Sequence, residues 1–257
     1  MREFFGFGGY DRIPEGAWSW QHLTFVGGLL LAMVIFAIVL GKKNAEKSLA
    51  DKNKVLIWSA LLIDGFEIFR IVSFCLREQS LEPIKRTLPL FLCSILLIAL
   101  PLAAFSKGRV KEAAIDFVCV FGILAAVFGT IAAVQNYNAY PVLSLDNVVS
   151  GITHSISGFA SLYVMLARMA TLKKKNIGIT YAILLFFCVA AYVANVLIPY
   201  NYMFLMNHDG TPYSIFYNLV NGNRVLYPLI VVGLFLVYVA LFYWIFSLAK
   251  KKNKLND

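Results

Sequence analysis

Two side chains in this sequence are suited to covalent acyl chemistry, the thiol of Cys93 and the imidazole of His154, separated by 61 positions (154 − 93). An imidazole beside a thiol can take its proton and leave a nucleophile able to accept an acyl group. Each lies in an apolar stretch, the first spanning residues 87–106 and the second 148–170, and each is six positions in from the outer end. At 1.5 Å per residue that depth is about 9 Å for both. Arg70, counted back from Leu76, comes to the same level. Three useful groups on three helices at one depth point to a site. By spacing alone, Cys93 also reads as a small apolar core residue and His154 as a hydrogen-bonded one.

The elements that must position these groups are apolar stretches of about 20 residues, the length that crosses a hydrocarbon core of roughly 30 Å. They cover residues 22–41, 55–76, 87–106, 113–134, 148–170, 177–198 and 225–246. With 60% apolar and 14% charged residues, the chain reads as an all-α, polytopic membrane protein with seven transmembrane helices. Alternate loops carry its positive charge: Lys42, Lys43, Lys47, Lys52 and Lys54, then Lys107, Arg109 and Lys111, then Lys173, Lys174 and Lys175, then the tail Lys250, Lys251, Lys252 and Lys254. The opposite side has Arg2, Arg12, Arg77, Lys85, Arg86 and Arg224, so the count is fifteen against six. Positive residues stay in the cytoplasm, which predicts the N-terminus outside and the C-terminus cytoplasmic. The sequence predicts one membrane domain over residues 1–257. It comprises an aromatic outer interfacial segment (1–21) that lacks signal-peptide character, an outer cap loop (199–224) and a basic cytoplasmic tail (247–257).

The net charge of +9 comes from short juxtamembrane clusters, so anionic headgroups are the expected partner and nucleic acid is not. Cys75, Cys93, Cys119 and Cys188 all fall within spans, which excludes a disulfide framework and a CxxC metal pattern. The second span carries Asp64, Glu67 and Arg70, and the spacing of the last two allows a pair on one helix face. That trio either locks helices together or lines a polar site. A proton relay is poorly supported, because Asp116, near the cytoplasmic end, is the only other acid within a span. Pro101 should kink the third span. Span seven has no Lys for a retinal Schiff base.

Several segments resemble the YwaF family of bacterial integral membrane proteins. They are Leu88-Pro89-Leu90-Phe91-Leu92-Cys93, Asn201-Tyr202-Met203-Phe204-Leu205, Trp20-Gln21-His22-Leu23, Thr153-His154-Ser155 and, more loosely, Arg224-Val225-Leu226-Tyr227-Pro228. That family is similar to an animal seven-span phospholipid acyltransferase and, more remotely, to androgen-induced hydrolases of fatty-acid esters. The resemblance implies a Cys nucleophile at Cys93, a His partner at His154 and a bacterial plasma-membrane location. It also implies membrane phospholipids or fatty-acyl esters as partners, with no cofactor and no metal. The family pattern usually has polar residues where this chain has Thr87 and Phe91, and an acidic residue where it has Ser94.

These readings combine in an expected function, a membrane-embedded lipid acyltransferase or acyl-ester hydrolase with a Cys93–His154 pair near the outer leaflet. Arg70, Glu67, Asp64, His22, Asn195, Asn201 and Tyr202 are the expected substrate-binding residues. Two other classes fit the same span pattern: a small-molecule or lipid transporter, and a seven-span sensor or binding protein without catalysis.

Overall fold

A computed structural model describes residues 2–253, with side chains as far as Ala249. The side chains of Lys250, Lys251 and Lys252, and Lys254 altogether, lie outside the described residues. Among the described residues every regular element is helical. In chain order they are α1 (Arg2–Phe5), α2 (Trp20–Asn44), α3 (Leu49–Glu78), α4 (Glu82–Arg86), α5 (Leu96–Phe105), α6 (Gly108–Thr130), α7 (Val134–Ala139), α8 (Leu145–Leu166), α9 (Ile177–Leu197), α10 (Ser214–Leu219) and α11 (Leu226–Asn253). Short 3₁₀ turns occur at Lys174–Asn176 and Tyr202–Phe204.

The helix ends follow local chemistry. Ser19, Ser48 and Ser144 cap α2, α3 and α8, each hydroxyl accepting an amide three residues on at 3.2, 3.2 and 3.3 Å. Asn223 does the same for α11, its Oδ1 accepting from the Val225 and Leu226 amides at 2.9 and 3.0 Å. Gln79 ends α3 in a left-handed conformation.

Among the described residues, five helical stretches are long and apolar enough to cross a membrane: α2, α6 with α7, α8, α9 and α11. The two remaining expected spans depart from that standard for different reasons. Helix α3 has 30 residues, but Asp64, Glu67 and Arg70 interrupt its apolar middle. Helix α5 has only 10 residues, about 15 Å at 1.5 Å per residue. The continuous helix expected over residues 87–106 therefore starts late, because Leu88–Ile95 forms turns. Pro89 disfavours helical backbone at Leu88. The Ser94 hydroxyl accepts the Phe91 amide at 2.9 Å and donates to the Phe91 carbonyl at 3.0 Å, competing with the helical ladder. Pro101 lies inside α5, where it has no amide to give the ladder.

The chain divides into two compact units, one made of residues up to Thr87 with Leu96–Ala170, the other of Leu88–Ile95 with the residues from Thr171 onward. In the first unit α6 lies against α8 along small residues. A Cβ built on Gly122 would meet the Ser157 carbonyl oxygen at 2.3 Å, and one on Gly158 would meet the Ala126 Cβ at 2.6 Å. Close backbone approach of this kind is how helices associate where lipid removes the hydrophobic driving force. The Ser161 hydroxyl adds a bond across the seam, donating to the Cys119 carbonyl at 2.6 Å. At one end Lys111 Nζ donates to the Ala103 and Ala104 carbonyls that close α5, at 2.7 and 3.2 Å, and to Asn53 Oδ1 on α3 at 2.6 Å. Near the N-terminus of α8, Asp146 accepts two bonds from Arg77 at 2.7 and 3.0 Å and one from the Tyr10 hydroxyl at 2.5 Å. That cluster ties the N-terminal segment to α3 and α8. Arg77, counted in the sequence as an outer-loop charge, is a partly buried structural partner of Asp146.

In the second unit α9 packs on α11, with Thr180 and Tyr243 hydroxyls 2.9 Å apart. The 199–224 segment is folded, holding the 3₁₀ turn and α10.

Candidate active site

His154 is held from two sides. Its Nδ1 lies 2.7 Å from the Ser150 carbonyl oxygen and 3.3 Å from the Ser150 hydroxyl. A carbonyl can only accept, so in this contact Nδ1 carries a hydrogen. The ring itself lies on Gly129 in the last turn of α6, where a Cβ would come within 1.8 Å of His154 Cδ2 and 2.2 Å of Nε2. Only a residue without a side chain leaves room for that ring. The arrangement fixes the orientation of the ring, with the backbone carbonyl as the orienting group. All of this lies in the first unit.

Cys93 lies in the second unit, on the turn that precedes α5, partly exposed and in no disulfide. The segment is anchored by Phe91, whose ring meets those of Tyr200, Tyr202 and Phe204 at 6.0, 5.4 and 6.0 Å between centroids. Where the resembled pattern has a polar residue beside the leucines, this chain uses an aromatic anchor.

Asn195, at the end of α9, holds Tyr202 by its backbone. Its Oδ1 accepts from the Tyr202 amide at 2.7 Å, and its Nδ2 donates to the Tyr202 carbonyl at 3.0 Å. That clamp supports the left-handed backbone at Met203 and Phe204, unusual for side-chain-bearing residues. Asn201 closes the next loop, accepting from the Met206 amide at 2.9 Å and donating to the Asn207 carbonyl and to Asp209 Oδ2, both at 2.6 Å. Both asparagines, expected to touch substrate, spend these polar atoms on the fold of the loop. Tyr202 is fully buried and its hydroxyl has no hydrogen-bond partner. Burial also raises its phenol, which keeps the proton and remains a donor. Replacing Asn195 with Ala should strand the buried amide and carbonyl of Tyr202, at about 1–3 kcal/mol for each group. Thermal unfolding in detergent and limited proteolysis of residues 199–224 measure this, and an unchanged melt would show that the clamp is dispensable.

The remaining candidates lie in the first unit. Glu67 and Arg70 pair as their spacing predicts, with bonds of 2.5 and 3.0 Å, so two of the guanidinium donors are already engaged. Asp64 is partly buried and its Oδ1 lacks a partner. His22 is buried in the turn that starts α2, where its Nδ1 accepts the Trp18 amide at 3.0 Å and its ring lies 4.0 Å from that of Tyr137. Its ring therefore supports the N-terminal turn. Among the described residues no group of three or more His, Cys, Asp or Glu side chains is placed to hold a metal ion.

A family model, described as TMEM164 family, matches residues 17–248 of the chain. The chain belongs to the TMEM164 family. No curated protein and no solved structure matches it. The match runs from the turn that holds His22 almost to the end of α11, so every candidate residue lies within TMEM164 sequence. Together with its apolar helices, this makes the chain a helical membrane protein. Sequence reading missed Gly129, Ser150 and the Arg77–Asp146 pair. Gly129 had a signal, because Gly122, Ala126 and Gly129 recur at helical spacing on one face of α6.

Proposed function

We propose that this TMEM164-family protein is a membrane-embedded lipid acyltransferase or acyl-ester hydrolase in which Cys93 is the nucleophile and His154 the general base and acid. The observation that carries this reading is the seat of His154, whose Nδ1 lies 2.7 Å from the Ser150 carbonyl oxygen and whose ring is fixed over Gly129. The resemblance to the YwaF family and to the animal acyltransferase supports the same two residues.

In the first step His154 Nε2 takes the thiol proton and the Cys93 sulfur attacks the ester carbonyl. The ester C–O bond breaks, the leaving alkoxide takes the proton from His154, and an acyl thioester remains on Cys93. In the second step His154 takes a proton from an acceptor hydroxyl or water, whose oxygen attacks the thioester. The C–S bond breaks and the thiolate recovers its proton. In this reading α3 and α5 complete a seven-span topology with the N-terminus outside, the basic loops inside and the site toward the outer leaflet of a bacterial plasma membrane.

Lipidomics of cells with and without the gene, with Cys93→Ala as control, tests the function. Wild type should shift acyl composition of phospholipids or neutral esters, and Cys93→Ala should match the deletion. Identical profiles for wild type and Cys93→Ala, both differing from the deletion, would point to transport or binding instead.

A further inference from the structure

We infer that the groove between α2 and α3, floored by α8, holds one fatty acyl chain, with its oxygen-bearing end at the level of His154 and Ser155. The inference deepens the acyl-enzyme reading and rests on it for the identity of the lipid as substrate. The groove lies within the first unit, is open to the outside and has a volume of about 390 Å³. That volume falls in the range of sites that bind small molecules, roughly 300–1,000 Å³.

Its dimensions select the occupant. Along α2 the lining runs from Leu29 to Leu40, eleven residues or about 16 Å at 1.5 Å per residue. One leaflet is half of a roughly 30 Å hydrocarbon core, about 15 Å, so the groove matches the reach of one chain. Since α2 and α8 are apolar enough to cross the membrane, acyl chains are what surrounds the groove mouth.

Polarity fixes the direction. The lining is apolar except for Ser59 and Ser155. The Ser59 hydroxyl is spent on the Val55 carbonyl at 2.9 Å. Ser155 is only 8% exposed, and its hydroxyl has no hydrogen-bond partner. Its neighbours Thr153 and Ser157 on the same helix both return their hydroxyls to backbone carbonyls at 3.0 Å. A buried donor left open costs free energy unless a ligand supplies the acceptor. An ester oxygen is that acceptor. The tail then runs toward Leu40 and Phe159, at the far end of the groove.

The full-length protein in nanodiscs containing phosphatidylcholine with a diazirine at the end of one acyl chain tests this. Crosslinks should concentrate on the Leu40 and Phe159 ends of α2 and α8. Ala32→Trp in the wall and Leu62→Trp at the exposed rim should each cut them by about tenfold, the effect of denying roughly two methylenes of burial. Ser155→Ala should move crosslinks along the groove without abolishing them. Cys93→Ala should leave them unchanged. Crosslinks spread evenly over the lipid-facing sides of α9 and α11 and insensitive to both Trp variants would overturn the inference. So would their replacement by protein–protein crosslinks between two copies. Groove crosslinks without any Cys93 acylation in the wild type would sink the enzyme reading alone and leave the groove as a lipid site. Thermal melts of each variant separate blocked binding from misfolding, and Leu62→Trp, whose side chain already faces outward, guards against the latter.

Discussion

An alanine at Gly129 should reduce Cys93 acylation nearly as far as removal of His154 does. The added methyl would lie within 1.8 Å of His154 Cδ2, closer than any two carbons can approach without a bond. The ring is the movable partner, so it must swing off the Ser150 carbonyl and lose its orientation. Loss of a positioned general base costs about 10²- to 10⁴-fold in rate. The helix seam itself need not open, so the melting temperature should stay near that of wild type. Gly122→Ala is the contrasting case, because its methyl would meet the Ser157 backbone carbonyl at 2.3 Å, which cannot rotate away. Overpacking there should cost about 1–3 kcal/mol of stability. Acylation rates and melts of both variants give the comparison. A Gly129→Ala protein with wild-type rate would show that the seated ring is not the base.

Arg77→Ala should destabilise the first unit by about 3–5 kcal/mol, the usual cost of stranding one half of a buried pair. The two side chains are only 13% and 7% exposed, so water cannot replace the lost partner on Asp146. The Tyr10 hydroxyl would remain as the only remaining bond among those that Asp146 makes to Arg77 and Tyr10. The double variant Arg77→Met with Asp146→Leu should recover most of the loss, because it removes both charges together. The same cluster gives a pH dependence. Burial, then the hydrogen bond to Asp146, raise the Tyr10 phenol above its ordinary value of 10.0, and Asp146 and Tyr10 raise Arg77 in the same sense. The unfolded chain therefore loses the Tyr10 proton first, and this contribution, complete below pH 10, declines as the pH rises beyond it. Tyr10→Phe should flatten that alkaline decline in a urea or thermal titration. A decline of equal slope in both proteins would assign it to other groups.

What was legible in the sequence follows from the range of each interaction. Apolar length and serine caps are local, so six of the seven expected stretches each overlap most of a helix, with ends that differ by up to seven residues. The third did not, because Leu88-Pro89 and the Ser94 side-chain bonds outweigh its hydropathy. The Glu67–Arg70 pair was readable from its spacing. Arg77 and Asp146 are 69 positions apart, and charge counting assigned Arg77 to an outer loop without asking what it might meet. Asn195 and Asn201 were read as substrate-binding residues, because polarity alone could not tell a loop clamp from a ligand contact. His154 was a candidate by type and position. Its orientation was not legible, since that depends on a carbonyl one helical turn away and on the glycine beneath the ring.

The central claim is tested most directly by intact-mass measurement of the purified protein after incubation with phospholipid, followed by peptide mapping and hydroxylamine treatment. A hydroxylamine-labile fatty acyl adduct should appear on Cys93, vanish in Cys93→Ala and fall by about 10²-fold or more in His154→Ala. An acyl adduct mapping instead to Cys75, Cys119 or Cys188, or undiminished lipid turnover by Cys93→Ala, would contradict the account.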